Sequence, residues 1–321
     1  MNLQRLEIFR AVIRNDFNVS RAAQELRQSQ PGLSRQLAIL ESEIGAPLFV
    51  RKGKRLAGLT GPGQEVHRLA ARMLADADAL RQVAVGYRNA ERGTLVLATT
   101  HTQARYALPK VVQEFRETYP DVHLVLHQGS PYQVAEEVLE GKADLAIATE
   151  ALYDYPELAV LPCYEWNRSV IAPTGHPILS TKQLTLQELA RYPIVTYASS
   201  VTGRSQINAA FVAAGLSPNV VLSAIDADII KTYVRLGLGV GIVATMAFSE
   251  EADAGLEARD ASHLFPPSTT GVALRRGAYL KGYTYRFIEL TSPALTRSVV
   301  DAAIFSEASP SSALPRSFDE A

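Results

Sequence analysis

The sequence predicts three parts in chain order: a winged helix-turn-helix, a long linker helix and a larger α/β region. Three observations carry this. Short amphipathic helices, a sharp turn and a basic hairpin fill residues 1–60. A proline-free stretch with heptad spacing follows, and beyond it strand, loop and helix patterns alternate to about residue 305.

Composition limits the answer first. At 321 residues, with 47% apolar and 20% charged, the chain has material for two or three globular units and is neither disordered nor fibrous. Cys163 is the one cysteine, so an intramolecular disulfide or a multi-cysteine metal site cannot form. The opening MNLQRLEIFRAVIRND lacks a continuous apolar segment, and no run is long enough to cross a bilayer. The expectation is a soluble, cytoplasmic protein with no membrane partner. The net charge of −1 conceals a division: residues 1–92 carry 15 Lys or Arg against 9 Asp or Glu, and the remainder 17 against 24. A basic end of this kind attracts a polyanion.

In the first helix Leu3, Leu6, Phe9 and Ile13 recur at helical spacing, and Asn18 or Ser20 can cap a second helix through Ala22, Ala23 and Leu26. Ser29 is a natural N-cap for a third, with Pro31 in its first turn, where a missing N–H costs little. Leu33, Leu37, Leu40 and Ile44 form its core-facing stripe. Arg35 therefore points outward, with Pro31, Ala38 and Ser42 beside it and Ser34 at the margin. An outer face of small residues and one arginine suits a DNA major groove, because bulky side chains would hold the backbone off the base edges. Gln30 and Arg35 match adenine and guanine edges, and Ser29 and Ser34 can reach phosphates or nearby bases. After Gly45, two extended pieces flank Gly53 with Arg51, Lys52, Lys54 and Arg55 at the tip, a basic wing for the DNA backbone or minor groove. A solvated basic loop on a helical bundle is the alternative.

From Gly63 to Tyr87, the residues Val66, Ala70, Met73, Ala77, Leu80, Ala84 and Tyr87 alternate spacings of four and three. This seam predicts one long helix at 61–90 packed on another. It can serve a dimer or pack on its own chain; the dimer is preferred, because paired half-sites supply the specificity that one winged helix lacks.

In the region 91–305, TLVLAT, HLVLHQ and ADLAIAT read as strands followed by polar loops and helices, the first helix starting near Gln103. Ligands bind beyond the carboxyl ends of such strands. The residues there are Thr100, Thr102, Gln103, Ser130 and Thr149, all neutral hydrogen-bonding groups. Several sit where helix N-terminal N–H groups point, so a small anion could be held without a full positive charge. A second half begins near Tyr164, and Thr202 in YASSVTGRSQ is placed to face the first set across a cleft. Strand-end caps and turns are the plainer reading of the same residues.

The stretch NVSRAAQELRQSQPGLSRQLAILESEIGAPLFVRKGKRLAGLTGPG resembles the DNA-binding domain of LysR-type transcriptional regulators, with the Ser-Gln-Pro-x-x-Ser-Arg core at Ser29 to Arg35 and Leu48-Phe49 before the wing. The segments ATTHTQARYALP, HQGSP, ADLAIATEAL, LPCYEWNRS and DADIIKTYVRLGLGVG resemble the CysB and Cbl branch, regulators of sulfur assimilation. The resemblance spans about residues 1–300. It implies an effector-binding domain of two periplasmic-binding-protein-like lobes, lobe I at about 91–163 and 268–305 and lobe II at about 164–267, then a flexible tail at 306–321. It also implies that Thr100, Thr102, Gln103, Ser130, Thr149 and Thr202 line the effector pocket. The implied partners are double-stranded promoter DNA, a small effector (an acetylated serine or a sulfate- or thiosulfate-like anion), a homodimer or homotetramer, and RNA polymerase. The target genes would serve cysteine biosynthesis or, more narrowly, sulfonate or sulfate-ester utilisation.

Enzymatic readings fare poorly. GLGVG at Gly237 to Gly241 follows a helix and precedes a strand, the reverse of a dinucleotide loop. His123 and His127 are strand neighbours without a metal motif. Cys163 follows Leu161-Pro162 and reads as packed. No catalytic residue, metal or cofactor is expected. A solute-binding protein without a DNA role is the other class, and it would leave residues 1–60 unused.

Overall fold

The computed structural model describes residues 2–53, 55–86, 92–199, 203–306 and 316–317. Lys54, Tyr87 and Thr202 lie outside them, as does most of the expected tail. The chain divides into two units, one containing residues 1–89 and the other nearly all the rest.

The first unit opens with α1 (Leu3–Arg14), α2 (Val19–Glu25) and α3 (Gln30–Ile44). Asn18, not Ser20, caps α2, its side chain accepting from the N–H groups of Ser20 and Arg21 at 3.1 Å. Ser29 caps α3 by accepting from Gly32 N at 3.2 Å, and α3 stops at Gly45, whose φ of 78° is left-handed. Leu6, Phe9, Val12, Ala22, Leu33, Leu37 and Leu40 form the core. Ile44 does not join them: it is 38% exposed, because the chain turns away at Gly45 before the stripe completes another turn. Strands β1 (Phe49–Lys52) and β2 (Arg55–Leu59) pair antiparallel as the wing. Phe49 seats it on α1, with its ring centroid 5.2 Å from that of Phe9, and its burial stabilises the attachment by about 1.5–3 kcal/mol.

Helix α4 (Gly61–Gly86) is the linker. The heptad seam divides on it. Ala70 enters the core of the helices before it with Val66 packed against that core, and Leu74, off the seam, joins them, whereas Met73 (42% exposed) and Leu80 (75%) do not.

In the second unit the strands are β3 (Gly93–Thr99), β4 (Val122–Gln128), β5 (Leu145–Ala148), β6 (Leu158–Trp166), β7 (Arg168–Pro173), β8 (Ile194–Tyr197), β9 (Val220–Ala224), β10 (Val240–Ala244), β11 (Leu256–Asp260), β12 (Ser268–Arg275) and β13 (Arg316–Ser317). The helices are α5 (Leu108–Thr118), α6 (Pro131–Leu139), α7 (Leu186–Leu189), α8 (Arg204–Ala213), α9 (Ala227–Arg235), α10 (Gly282–Thr291) and α11 (Arg297–Phe305). Two sheets result, with orders β13-β6-β12-β5-β3-β4 and β11-β7-β10-β8-β9. In the first, β3 runs parallel to β4 and β5, so the carboxyl ends of all three open on one edge. In the second, β8 is parallel to β9 and β10.

The chain crosses from the first sheet to the second at Asn167, later than the expected boundary near Tyr164. Tyr164 still pairs with Thr270 in the first sheet, so lobe I extends through Trp166. The chain re-enters the first sheet at Ser268, where β12 begins. Within the expected flexible tail, Arg316 and Ser317 run parallel to Tyr164 and Glu165 as a short edge strand, because β6 offers an unpaired edge there.

Candidate functional site

The candidate residues fall on two surfaces. On α3, Ser29, Gln30, Pro31, Ser34 and Arg35 are all exposed. Arg35 has no carboxylate partner among the described residues. Ser29 uses its oxygen as the cap acceptor and keeps its hydroxyl proton free to donate. The wing differs from expectation at Arg51. Its guanidinium lies 3.0 Å from Glu41, whose other carboxylate oxygen accepts from Leu48 N and Phe49 N, so Arg51 ties the wing to α3. Lys52 and Arg55 face each other in the hairpin register and are exposed.

The second surface is a cavity of about 520 Å³ at the carboxyl ends of β3, β4 and β5. Thr100, Thr102, Gln103, Ser130 and Thr149 all line it; Thr202 falls outside the described residues. The walls also include His101, Gln128, Gly129, Pro131, Gln133, Trp166, Tyr197 and Ile225, which the sequence reading did not select. Tyr197 and Ile225 belong to the second lobe, so both lobes share the cavity.

Local structure decides what each group can offer. The helix after β3 begins at His101, two residues earlier than expected, and Gln103–Ala107 form a widened π-turn before α5. Such turns recur at functional sites. Gln103 is 1% exposed, donates from Nε2 to Thr270 Oγ1 at 3.0 Å and accepts from the Tyr164 hydroxyl. Its amide is thereby committed mainly to holding the cavity floor. Trp166 Nε1 donates to the same Thr270 oxygen at 3.1 Å, which fixes the indole in the wall.

Ser130 and Gln133 form a reciprocal capping box. Ser130 N donates to Gln133 Oε1 at 2.9 Å and Gln133 N to Ser130 Oγ at 3.4 Å. The Ser130 proton stays available. Thr102 hydrogen-bonds Tyr197, whose phenol burial pushes up in pKa. The hydroxyls of Thr100 and Thr149 have no partner among the described residues. His101 Nδ1 is likewise buried without a partner.

Ionisable groups surround this site. His101, Asp226 and Asp228 bring ligand atoms within 4.8 Å of one another. Asp228 is already occupied: it accepts from the Tyr106 hydroxyl at 2.7 Å, pairs with Lys231 at 3.2 Å and lies 3.6 Å from Arg105. Burial works against its ionisation, but the Tyr106 and Lys231 hydrogen bonds outweigh it and hold the carboxyl below its ordinary value. Behind Trp166, the guanidinium of Arg168 lies 5.2 Å from the indole and donates to Pro266 O, Gln206 and Ser268. Burial lowers its pKa, and it does not reach the cavity wall.

Residues 3–64 match the model of the bacterial regulatory helix-turn-helix protein, lysR family, and residues 88–295 match the LysR substrate binding domain. The chain belongs to the LysR family. It is 52% identical over 300 residues to the HTH-type transcriptional regulator SsuR of Burkholderia cenocepacia, covering 94% of this chain and 97% of that protein. It is 48% identical over 308 residues to the HTH-type transcriptional regulator CysB of the same organism, covering 96% and 98%. The cofactor-binding domain of the Cbl transcriptional regulator, a solved structure 42% identical, superposes with a TM-score of 0.64 over 66% of this chain and 93% of that one.

Within this LysR-family chain, the remaining motifs have structural roles. Gly239 and Gly241 of GLGVG sit where an added Cβ would lie 2.2 Å from Pro193 O and 2.5 Å from Ile171 Cγ1, so these glycines serve close packing around β10. His127 Nδ1 lies 2.6 Å from Glu137 on α6. Cys163 is buried in the lobe I sheet. No helix of the described residues is long and apolar enough to cross a membrane.

Proposed function

We propose that this LysR-family chain is a ligand-responsive transcriptional activator of sulfur-assimilation and cysteine-biosynthesis genes, with sulfonate or sulfate-ester utilisation as the narrower regulon. It is not an enzyme and works in the cytoplasm. The observation that carries the reading is the gathering of five neutral hydrogen-bonding residues, from the ends of three parallel strands, on one cavity shared by two lobes. An effector there, an acetylated serine or a sulfur oxyanion, would favour one arrangement of the lobes over another. Only a ligand with different affinity for the two arrangements can shift their populations. The shift reaches promoter DNA through a dimer, or a dimer of dimers, held by the exposed side of α4, and RNA polymerase is the downstream partner.

Gln30, Ser34 and Arg35 read the major groove in this scheme, and Lys52, Lys54 and Arg55 meet phosphates. Arg35→Ala should weaken specific binding by about 1–3 kcal/mol and nonspecific binding much less. Equal loss on both would assign Arg35 to phosphate alone. The test of the whole reading is fluorescence anisotropy on sulfur-assimilation promoter fragments at fixed salt, with and without O-acetylserine, N-acetylserine, sulfate or thiosulfate. Specific binding that changes with one of them supports it; binding equal to that of random DNA throughout removes the sulfur assignment.

A further inference from the structure

We propose that the edge of β6 at Tyr164 and Glu165 is a docking site for this chain's own C-terminal segment, Arg316–Ser317, and that docking braces the strand leading into the crossing between the lobes. Docking stands on the sheet alone. Its coupling to a ligand rests on the reading of the cavity as the effector site.

The edge of β6 needs a partner. One side of β6 pairs with β12 from Leu158 to Trp166, and the other meets no strand but β13 among the described residues. An edge strand presents unpaired N–H and C=O groups, which a further extended chain can satisfy. Near its carboxyl end β6 is also weakened from within. Pro162 has no N–H to give, and the register with β12 steps from Pro162–Gly271 to Tyr164–Thr270, so Cys163 is an extra residue in the ladder. The two residues that β13 pairs, Tyr164 and Glu165, come directly after this bulge. The segment suits the place, since Pro315 stands directly before β13 and proline is tolerated at the start of an edge strand.

The braced residues carry more than the sheet. Tyr164 donates from its hydroxyl to Gln103, which lines the cavity. Trp166 is itself in the cavity wall, with its indole held on Thr270. Asn167 follows at the crossing, and its carbonyl accepts from Thr245 N of the second lobe at 2.9 Å. Four consecutive residues thus join the C-terminal segment, the cavity and the crossing. Side chains alternate across a strand, so Tyr164 and Trp166 share a face, and pinning the backbone at 164–165 restrains both. By linkage, a ligand that favours the ordered wall tightens the segment on β6, and the segment tightens the ligand by the same factor.

Trp166 is the only tryptophan in the chain and is 7% exposed, so its emission reports this place and starts from a shielded state. A chain ended after Ser306 keeps α11 entire. Compared with the full-length chain, acrylamide should quench its Trp166 about twofold more efficiently, and amide exchange in 158–166 should run about fivefold faster, the worth of about one ladder hydrogen bond. The full-length double variant Arg316→Pro/Ser317→Pro, which removes both N–H donors and leaves the rest of the chain in place, should behave like the truncation. The peptide SSALPRSFDEA added to the truncated chain should reverse both changes saturably. Quenching and exchange unchanged by truncation would overturn the docking, as would a peptide that binds the truncated and full-length chains alike. N-acetylserine and thiosulfate, titrated against both chains and followed by Trp166 emission, test the coupling: affinity should fall about threefold to fivefold without the segment. Equal affinity in the two chains would overturn the coupling. Emission that depends on the segment but responds to neither ligand would remove the effector reading and leave the docking supported.

Discussion

Cys163 shows how burial sets chemistry at a single residue. It is 4% exposed, and desolvation pushes its thiol up to about 12. At pH 8 the thiolate fraction is then on the order of one in ten thousand, and the thiolate is the reactive form. A thiol reagent such as dithionitrobenzoate should find no reactive group in the native protein and one equivalent after denaturation. Rapid native labelling would mean that this strand opens readily. The packed state of Cys163 is legible in the sequence, since it follows the apolar pair Leu161-Pro162. Gln103 is legible only in part. Its place at a strand end follows from local pattern, but the Thr270 hydroxyl that holds its amide comes from 167 residues away. Ile225 was missed for a related reason. An isolated isoleucine between Ala224 and Asp226 carries no local sign of standing exposed at a cavity.

Elements add constraints that single residues do not show. Helix α4 starts so close to the loop before the wing that a Cβ on Gly63 would lie 2.0 Å from the Leu48 carbonyl oxygen, whereas one on Gly61 would meet nothing within 4 Å. Gly63→Ala should therefore destabilise the first unit by about 1–3 kcal/mol, the range for a forced backbone shift. Gly61→Ala should leave it nearly unchanged. Thermal melts of the full-length chain, followed by circular dichroism, compare the two; equal melting temperatures would show that the loop yields without cost. The same helix explains why the heptad seam was ambiguous. Spacing of four and three looks the same whether a partner lies in this chain or in another. Packing separates the cases: Ala70 is 1% exposed, whereas Leu80 is 75% exposed. Leu80→Glu should convert a dimer to monomer in size-exclusion chromatography with light scattering, without lowering the melting temperature. An unchanged mass would place the dimer contact elsewhere.

At the scale of the whole effector region, the question is how cavity occupancy reaches the arrangement of the lobes. Several polar bridges cross between them, Arg105 to Asp228 and Thr102 to Tyr197 among them, and two more bear on the cavity. Tyr106, in the widened turn directly after Gln103, donates to Asp228 of α9 at 2.7 Å. Gln206 of α8 donates to Glu150 at 3.1 Å and accepts from Arg168 at 2.8 Å. Each bridge starts beside a cavity residue, Gln103 in one case and Thr149 in the other. The two-lobe plan was legible because strand patterns restart after the crossing. The bridges were not, because each pairs residues that only the closed topology brings together. Tyr106→Phe removes the hydroxyl bridge and leaves the weaker Arg105–Asp228 pair, while Lys231 keeps Asp228 and Asp253 as partners. A phenol bonded to a carboxylate is worth about 1 kcal/mol at a half-exposed site, enough to change the ratio of lobe arrangements about fivefold. If this bridge favours the ligand-competent arrangement, apparent affinity falls with the competent fraction, by up to about fivefold. Calorimetry should show that loss, and small-angle scattering of the ligand-free variant should show a larger radius of gyration. Unchanged affinity with unchanged scattering would shift the role to the Glu150–Gln206–Arg168 bridge, and Gln206→Ala would then be the variant expected to move both measurements.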